Sequence, residues 1–126
     1  MKLVFDAGAL LALERNDRAV WTRLKKAVTD GVVIVTHAGV LGQVWRGGGP
    51  RQARLAKGLG SIRIEALDEA LGRKAGKLLA VSRSRDVIDA ALVRLAANDD
   101  KIFTSDTGDI DALAAAADLD VEVIPV

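Results

Sequence analysis

The chain has 126 residues, half of them apolar and 28% charged, with a formal net charge of +1, no cysteine and one histidine. That length and apolar content suit one globular domain, residues 1 to 126, with its own core. The missing cysteines exclude a disulfide framework, thiolate metal chemistry and a cysteine nucleophile, and a lone histidine leaves a nitrogen and sulfur zinc site or a Ser-His-Asp triad little support, so any metal must be held by oxygen.

In chain order, the opening MKLVFDAGALLALERN has one lysine, a broken apolar run and early acids, unlike a cleaved signal. No apolar stretch approaches the roughly 20 residues of a membrane span, so a soluble, cytoplasmic protein is expected. LVF (3 to 5) reads as a strand ending at Asp6, followed by helix-like segments at about Ala9 to Glu14 and Asp17 to Thr29. VVIV (32 to 35) is the second strand, and Ala38 to Trp45 the next helix. GGGP (47 to 50) is a breaker, read as a turn before a helix from Arg51 to Leu59; its glycines lack the strand-turn-helix context of a phosphate cradle. IRI (62 to 64) precedes helices at Asp68 to Ser82 and Val87 to Ala97, and KIF (101 to 103) precedes one at Ile110 to Ala117 and a last strand, VEVI (121 to 124). β-Branched and aromatic runs alternating with helices predict an α/β fold with a mainly parallel sheet covered on both faces. Trp21 and Trp45 fall on helix-like apolar faces, where core or oligomer-interface burial is expected rather than base stacking. His37 reads as a turn or helix-start residue.

Charge is unevenly distributed along the chain. Residues 31 to 64 hold five basic residues and no acid, whereas residues 98 to 126 hold eight acids against Lys101. Such a split suits a polyanion on one face and a cation on another, and equally suits ordinary solvated faces. FTSDTGDID (103 to 111) places Asp106, Asp109 and Asp111 close together, and like charges at that density raise a carboxyl pKa unless a cation or hydrogen bonds relieve them. Each acid also has a simpler use, because aspartate is a favoured helix N-cap. In open α/β sheets, sites form beyond the carboxyl ends of the strands. Asp6 and Asp106 follow the first and fourth strands, and Asp86 and Asp89 open a helix on one side of its first turn. Several hard oxygen ligands around one pocket suit Mg²⁺ or Mn²⁺.

The strand ending in Asp6 with AGALLAL after it, VLGQVWRGG (40 to 48), DVIDAALVRLA (86 to 96) and FTSDTGDI (103 to 110) together resemble PIN-domain ribonucleases of the VapC toxin type, in order and spacing, over nearly the whole chain. The resemblance implies a three-layer α/β/α PIN-like fold with a five-stranded, mainly parallel sheet, an acidic pocket binding Mg²⁺ or Mn²⁺, and cleavage of RNA. By position it implies Asp6, Asp89 and Asp106 as catalytic and metal-binding acids, with Asp109 as a fourth ligand. The departure is Gln43, which stands where the family usually carries Glu; an amide offers a carbonyl oxygen but no charge and no base. Asp86, one turn before Asp89, is the candidate to replace the missing carboxylate. Arg46, Arg51 and Arg54 are expected on the rim of the pocket, binding the RNA backbone. The resemblance further implies a toxin restrained by a cognate antitoxin, and a homodimer. The alternative is a catalytically weak or inactive PIN-like module that binds RNA or an antitoxin. A phosphoryl-accepting regulator would need an acceptor aspartate after a central strand and a late lysine, and VIVTHAG and VEVIPV supply neither.

Overall fold

A computed structural model describes all 126 residues. Five strands, β1 (Leu3–Phe5), β2 (Ile34–His37), β3 (Arg63–Glu65), β4 (Lys101–Thr104) and β5 (Glu122–Pro125), form one sheet in the order β3-β2-β1-β4-β5, and every pairing is parallel. Helices α1 (Ala7–Glu14), α2 (Arg18–Thr29), α3 (Ala38–Val44) and α4 (Gly49–Leu59) fall in the connections from β1 to β3, and α5 (Glu69–Val81), α6 (Val87–Arg94) and α7 (Thr107–Ala116) in those that return from β3 to β5. Parallel crossovers are right-handed, so the two sets cover opposite faces and give the expected three-layer α/β/α arrangement. No helix is long and apolar enough to cross a membrane.

The centre of the sheet is buried on both faces, which is why β1 (LVF) and the Ile102–Phe103 centre of β4 are consecutive apolar residues instead of alternating ones. Phe5 and Phe103, opposite each other in register, pack with ring centroids 5.2 Å apart at 58°. α1 is the innermost helix, with Gly8, Ala9, Leu10, Ala12 and Leu13 all buried beneath α2, α3 and α4. The all-small and aliphatic sequence AGALLAL follows from that position, since such a helix has only a narrow stripe free for polar groups.

Two local readings need adjustment. The second strand runs over Ile34–His37, two residues later than the apolar run VVIV, because Leu3 pairs with Ile34 while Val33 only offers its carbonyl to Leu3 N at 3.0 Å. Thr36 and His37 are buried strand residues despite their polarity. The GGGP segment is a turn as expected: Gly47, Gly48 and Gly49 have φ of 73°, 80° and 85°, a left-handed run that side chains resist, and α4 starts immediately on it. Trp21 packs against the core, but Trp45 lies at the end of α3 and is 42% exposed.

Candidate acidic site

The strand order reverses direction between β1 and β4, so the crevice of this sheet opens between their carboxyl ends. The backbone carries Asp6 and Asp106 to that crevice: Asp6 N donates to Phe103 O at 3.1 Å, one residue beyond the paired ends of the strands. Asp6 then caps α1, its Oδ1 accepting from Ala9 N at 2.9 Å, and its Oδ2 accepts from Ser105 N at 3.3 Å across the two strands. Asp106 caps α7 through Asp109 N at 3.3 Å, and its own N–H donates to Thr104 Oγ1 at 2.9 Å. Asp86 caps α6 through Asp89 N at 3.1 Å. All three are therefore helix caps, and Asp89 and Asp109 are the first-turn acids that follow two of them.

Capping does not account for the whole arrangement. Asp89 has its carboxyl pushed up to about 6 by burial and then, in falling order, by the charges of Asp86, Asp6, Asp106 and Asp109. Four acids from three separate stretches of sequence thus act on a fifth. Burial also raises the Asp6 carboxyl, against the Thr104 hydroxyl and the N–H groups of Ala9, Ser105 and Gly8, which stabilise its charge. Asp109 is raised by its hydrogen bond to the Asp106 carboxylate and by that charge. Asp111 is exposed on α7 and takes no part in this field.

α6 is held in place by His37. Its Nε2–H donates to Ile88 O at 2.9 Å while Nδ1 accepts from Gly39 N at 3.1 Å, so the ring is neutral with its proton on Nε2, and burial lowers its pKa. The imidazole caps α3 and fixes the first turn of α6, including Asp89, to the end of β2.

The remaining expected residues line other concavities of the surface. Gln43 is exposed on α3 and lines a groove with Leu11 and Glu14 of α1 and with Arg46 and Arg51; none of the five aspartates lines it. The Arg46 guanidinium donates to the carbonyls of Gly42, Gln43 and Trp45 at 3.2, 3.2 and 2.7 Å, an electrostatic cap on the C-terminus of α3. Arg54 lines a different cavity, its Nε donating to Glu14 O at 2.9 Å. Arg46 and Arg51 thus line one groove and Arg54 the cavity next to it, joined through Glu14.

Two participants escape a reading of the sequence by residue chemistry. Thr104 touches both Asp6 and Asp106, and Gly8 lets the first turn of α1 pass against Ser105. The only signals for them are position, at the end of β4 and two residues after Asp6.

As donors for a cation the site is chemically suited and geometrically incomplete. The acids offer only hard oxygen, and no basic side chain is among the groups acting on Asp89. As folded, however, no three of them stand in an arrangement that would hold one ion. Asp6, Asp86 and Asp106 each have an oxygen turned to a helix N-terminus.

Crowding of this kind has a measurable consequence in metal-free buffer. Because the Asp89 carboxyl is raised from 3.8 to about 6, the folded state binds more protons than the unfolded state across that window, and stability falls as pH rises through it. Asp89→Asn should flatten that slope and stabilise the metal-free protein at neutral pH by roughly 1 kcal/mol, a value reduced for the partial exposure of the group. Melting curves at a series of pH values check it; an unchanged slope would remove Asp89 from the crowded set.

The sequence matches no family model and no curated protein. In three dimensions the chain is similar to a chain in the crystal structure of VapBC2 from Rickettsia felis bound to a DNA fragment from their promoter, with a TM-score of 0.70 over 98% of each chain and 12% sequence identity. At that identity the likeness is one of fold.

Proposed function

We propose that this PIN-like fold carries a metal-dependent endoribonuclease that hydrolyses RNA phosphodiester bonds with Mg²⁺ or Mn²⁺, and that the protein is the toxin of a toxin-antitoxin pair. The observation that carries the reading is the field at Asp89, where acids from the ends of β1 and β4 and the start of α6 act together at the crevice of the sheet. Asp6, Asp89 and Asp106 would hold the ion, with Asp109 and Asp86 completing its surroundings. Bound there, such a cation supplies Lewis-acid polarisation of a phosphoryl oxygen and an acidified water. The chain's own residues set the site. Asp6 and Asp106 are fixed by backbone N–H groups. Asp89, crowded by the other acids, is the carboxylate whose repulsion a cation would relieve. The likeness in fold to a VapBC2 chain supports an antitoxin as partner, and the resemblance in sequence supports a homodimer.

Purified protein should cleave a mixed RNA pool only with Mg²⁺ or Mn²⁺, and Asp6→Asn should abolish cleavage. Saturating metal at about 100 times its dissociation constant should stabilise the fold by roughly 2.7 kcal/mol, and chelation should remove the gain. A protein that neither cleaves RNA nor responds to metal would defeat the reading.

A second reading, a PIN-like module with little turnover, is favoured by one observation: position 43 holds an amide, and it faces the α1 groove beside Glu14. Cleavage by the parent chain separates the two, and Gln43→Glu reports whether position 43 reaches the ion. If position 43 reaches the ion, the change should tighten metal binding and raise cleavage; if it does not, neither should move.

A further inference from the structure

The end of α1 opposite Asp6 carries a second charged feature. α1 has eight residues and so spans about 12 Å. Beyond it, the turn into α2 together with α2 and α4 encloses a cavity of about 360 Å³ lined by four cations, Arg18, Lys25, Arg54 and Lys57, with Asn16 and Thr22 between them. No acid lines it, and none of the four cations is in an ion pair, although six such pairs exist elsewhere in the chain. Unpaired like charges around a concavity raise the local potential and select for an anion. Arg54 is oriented by its Nε bond to Glu14 O, which leaves the outer edge of the guanidinium available. Trp21 forms the wall: its indole N–H is taken up by Leu13 O at 3.1 Å, and the Lys25 ammonium lies 5.9 Å from the ring centroid.

We propose that this cavity is a phosphate-binding exosite for a single-stranded nucleic acid, holding a strand at one end of α1 while another part of it reaches the acids at the other end. The lining argues for a strand over an acidic peptide. Trp21 is its only apolar side chain, so a peptide finds no pocket for an anchoring residue, whereas phosphates need only charge and hydrogen-bond donors. The proposal rests on the nuclease reading only in taking RNA as the strand; binding at the cavity needs neither metal nor cleavage.

The test is anisotropy of a fluorescein-labelled single-stranded RNA with the full chain in EDTA over a series of salt concentrations. R18A/K57A removes two exposed cations of the cavity, and K74A/K77A removes the same charge from exposed positions on α5. R18A/K57A should weaken binding about tenfold and flatten the log-log salt slope by about 1.4, at roughly 0.7 per single-strand phosphate, while K74A/K77A stays close to the parent. An unchanged slope in R18A/K57A, or an equal flattening in both variants, overturns the proposal. So does a labelled polyglutamate peptide that binds as tightly as RNA with the same response to R18A/K57A, or inorganic phosphate that displaces the RNA at equal phosphate concentration. Absence of RNA cleavage, by contrast, would count against the nuclease reading and leave this measurement intact.

Discussion

Gly8→Ala should destabilise the protein by roughly 3 kcal/mol, at the upper end of what overpacking costs. Helix propensity alone predicts the opposite sign, because alanine is favoured over glycine inside a helix by about 1 kcal/mol. Space decides the outcome. A Cβ at position 8 would lie 2.5 Å from Ser105 Cβ, closer still to Ser105 Oγ, and 3.0 Å from Ser105 N, so the obstruction includes backbone as well as a side chain. Relief requires α1 and the corner between β4 and α7 to part, which breaks the bond from Ser105 N to Asp6 and moves Asp6 away from Asp106. Thermal or denaturant unfolding measures the loss. Ser105→Gly in the same chain should recover most of it, since it removes two of the three clashing atoms. A Gly8→Ala variant as stable as the parent would show that the two segments are not in this contact.

Asp100→Ala should cost about 3 kcal/mol, for a different reason. Asp100 is an acid of the same acidic half of the chain, yet it lies before β4, at the opposite edge of the sheet from the crevice. Its Oδ1 accepts from Lys2 N at 2.7 Å, and its Oδ2 from the Lys2 ammonium at 2.6 Å and Ala97 N at 2.8 Å. Burial pushes the carboxyl up, but the Lys2 ammonium and these N–H donors outweigh it and hold the pKa below the usual range. Truncation leaves buried donors and a partly buried ammonium without their partner, a loss worth several kcal/mol in closed sites and less here because Lys2 is partly exposed. Since the folded pKa is lowered, the contribution is present above the unfolded carboxylate pKa and is lost as pH falls through the folded value. The parent should therefore show a steeper acid limb than Asp100→Ala in unfolding midpoints against pH. Equal limbs would mean that the pair contributes nothing.

These two residues mark where the sequence was opaque. Strand and helix periodicity made every element visible, since the apolar runs LVF and KIF and the spacing of the helices depend on local chemistry. Bounds were less legible: β2 ends in buried Thr36 and His37, and the His37 imidazole is held by α6, some 50 residues away, through the Ile88 carbonyl. The convergence of Asp6 and Asp106 was legible because both follow strands, and parallel neighbours bring such ends together. Asp100 shares their charge and the acidic half of the chain, and its place before β4 instead of after it sets it apart. Arg46, Arg51 and Arg54 share an acid-free stretch, but Arg46 and Arg51 line the groove beside α1, whereas Arg54, on the same helix as Arg51, lines the cavity between α2 and α4. Charge density along a sequence does not encode which side of a helix a residue will face.

The helix caps have a consequence for how such a site could be lost. Asparagine caps a helix about as well as aspartate, so Asp86 and Asp106 can each exchange one oxygen for nitrogen while the N-terminal turn they secure stays closed. At those two positions charge at the crevice and integrity of the scaffold are separable by a single atom; at Asp6 the second oxygen also accepts from Ser105 N, a bond that an amide nitrogen cannot make. A descendant of this chain could shed the carboxylates of Asp86 and Asp106 one at a time, fold at both stages, and persist as a less charged replica that still presents the same outer surfaces to whatever grips them. The amide at Gln43 differs from a glutamate by the same one atom.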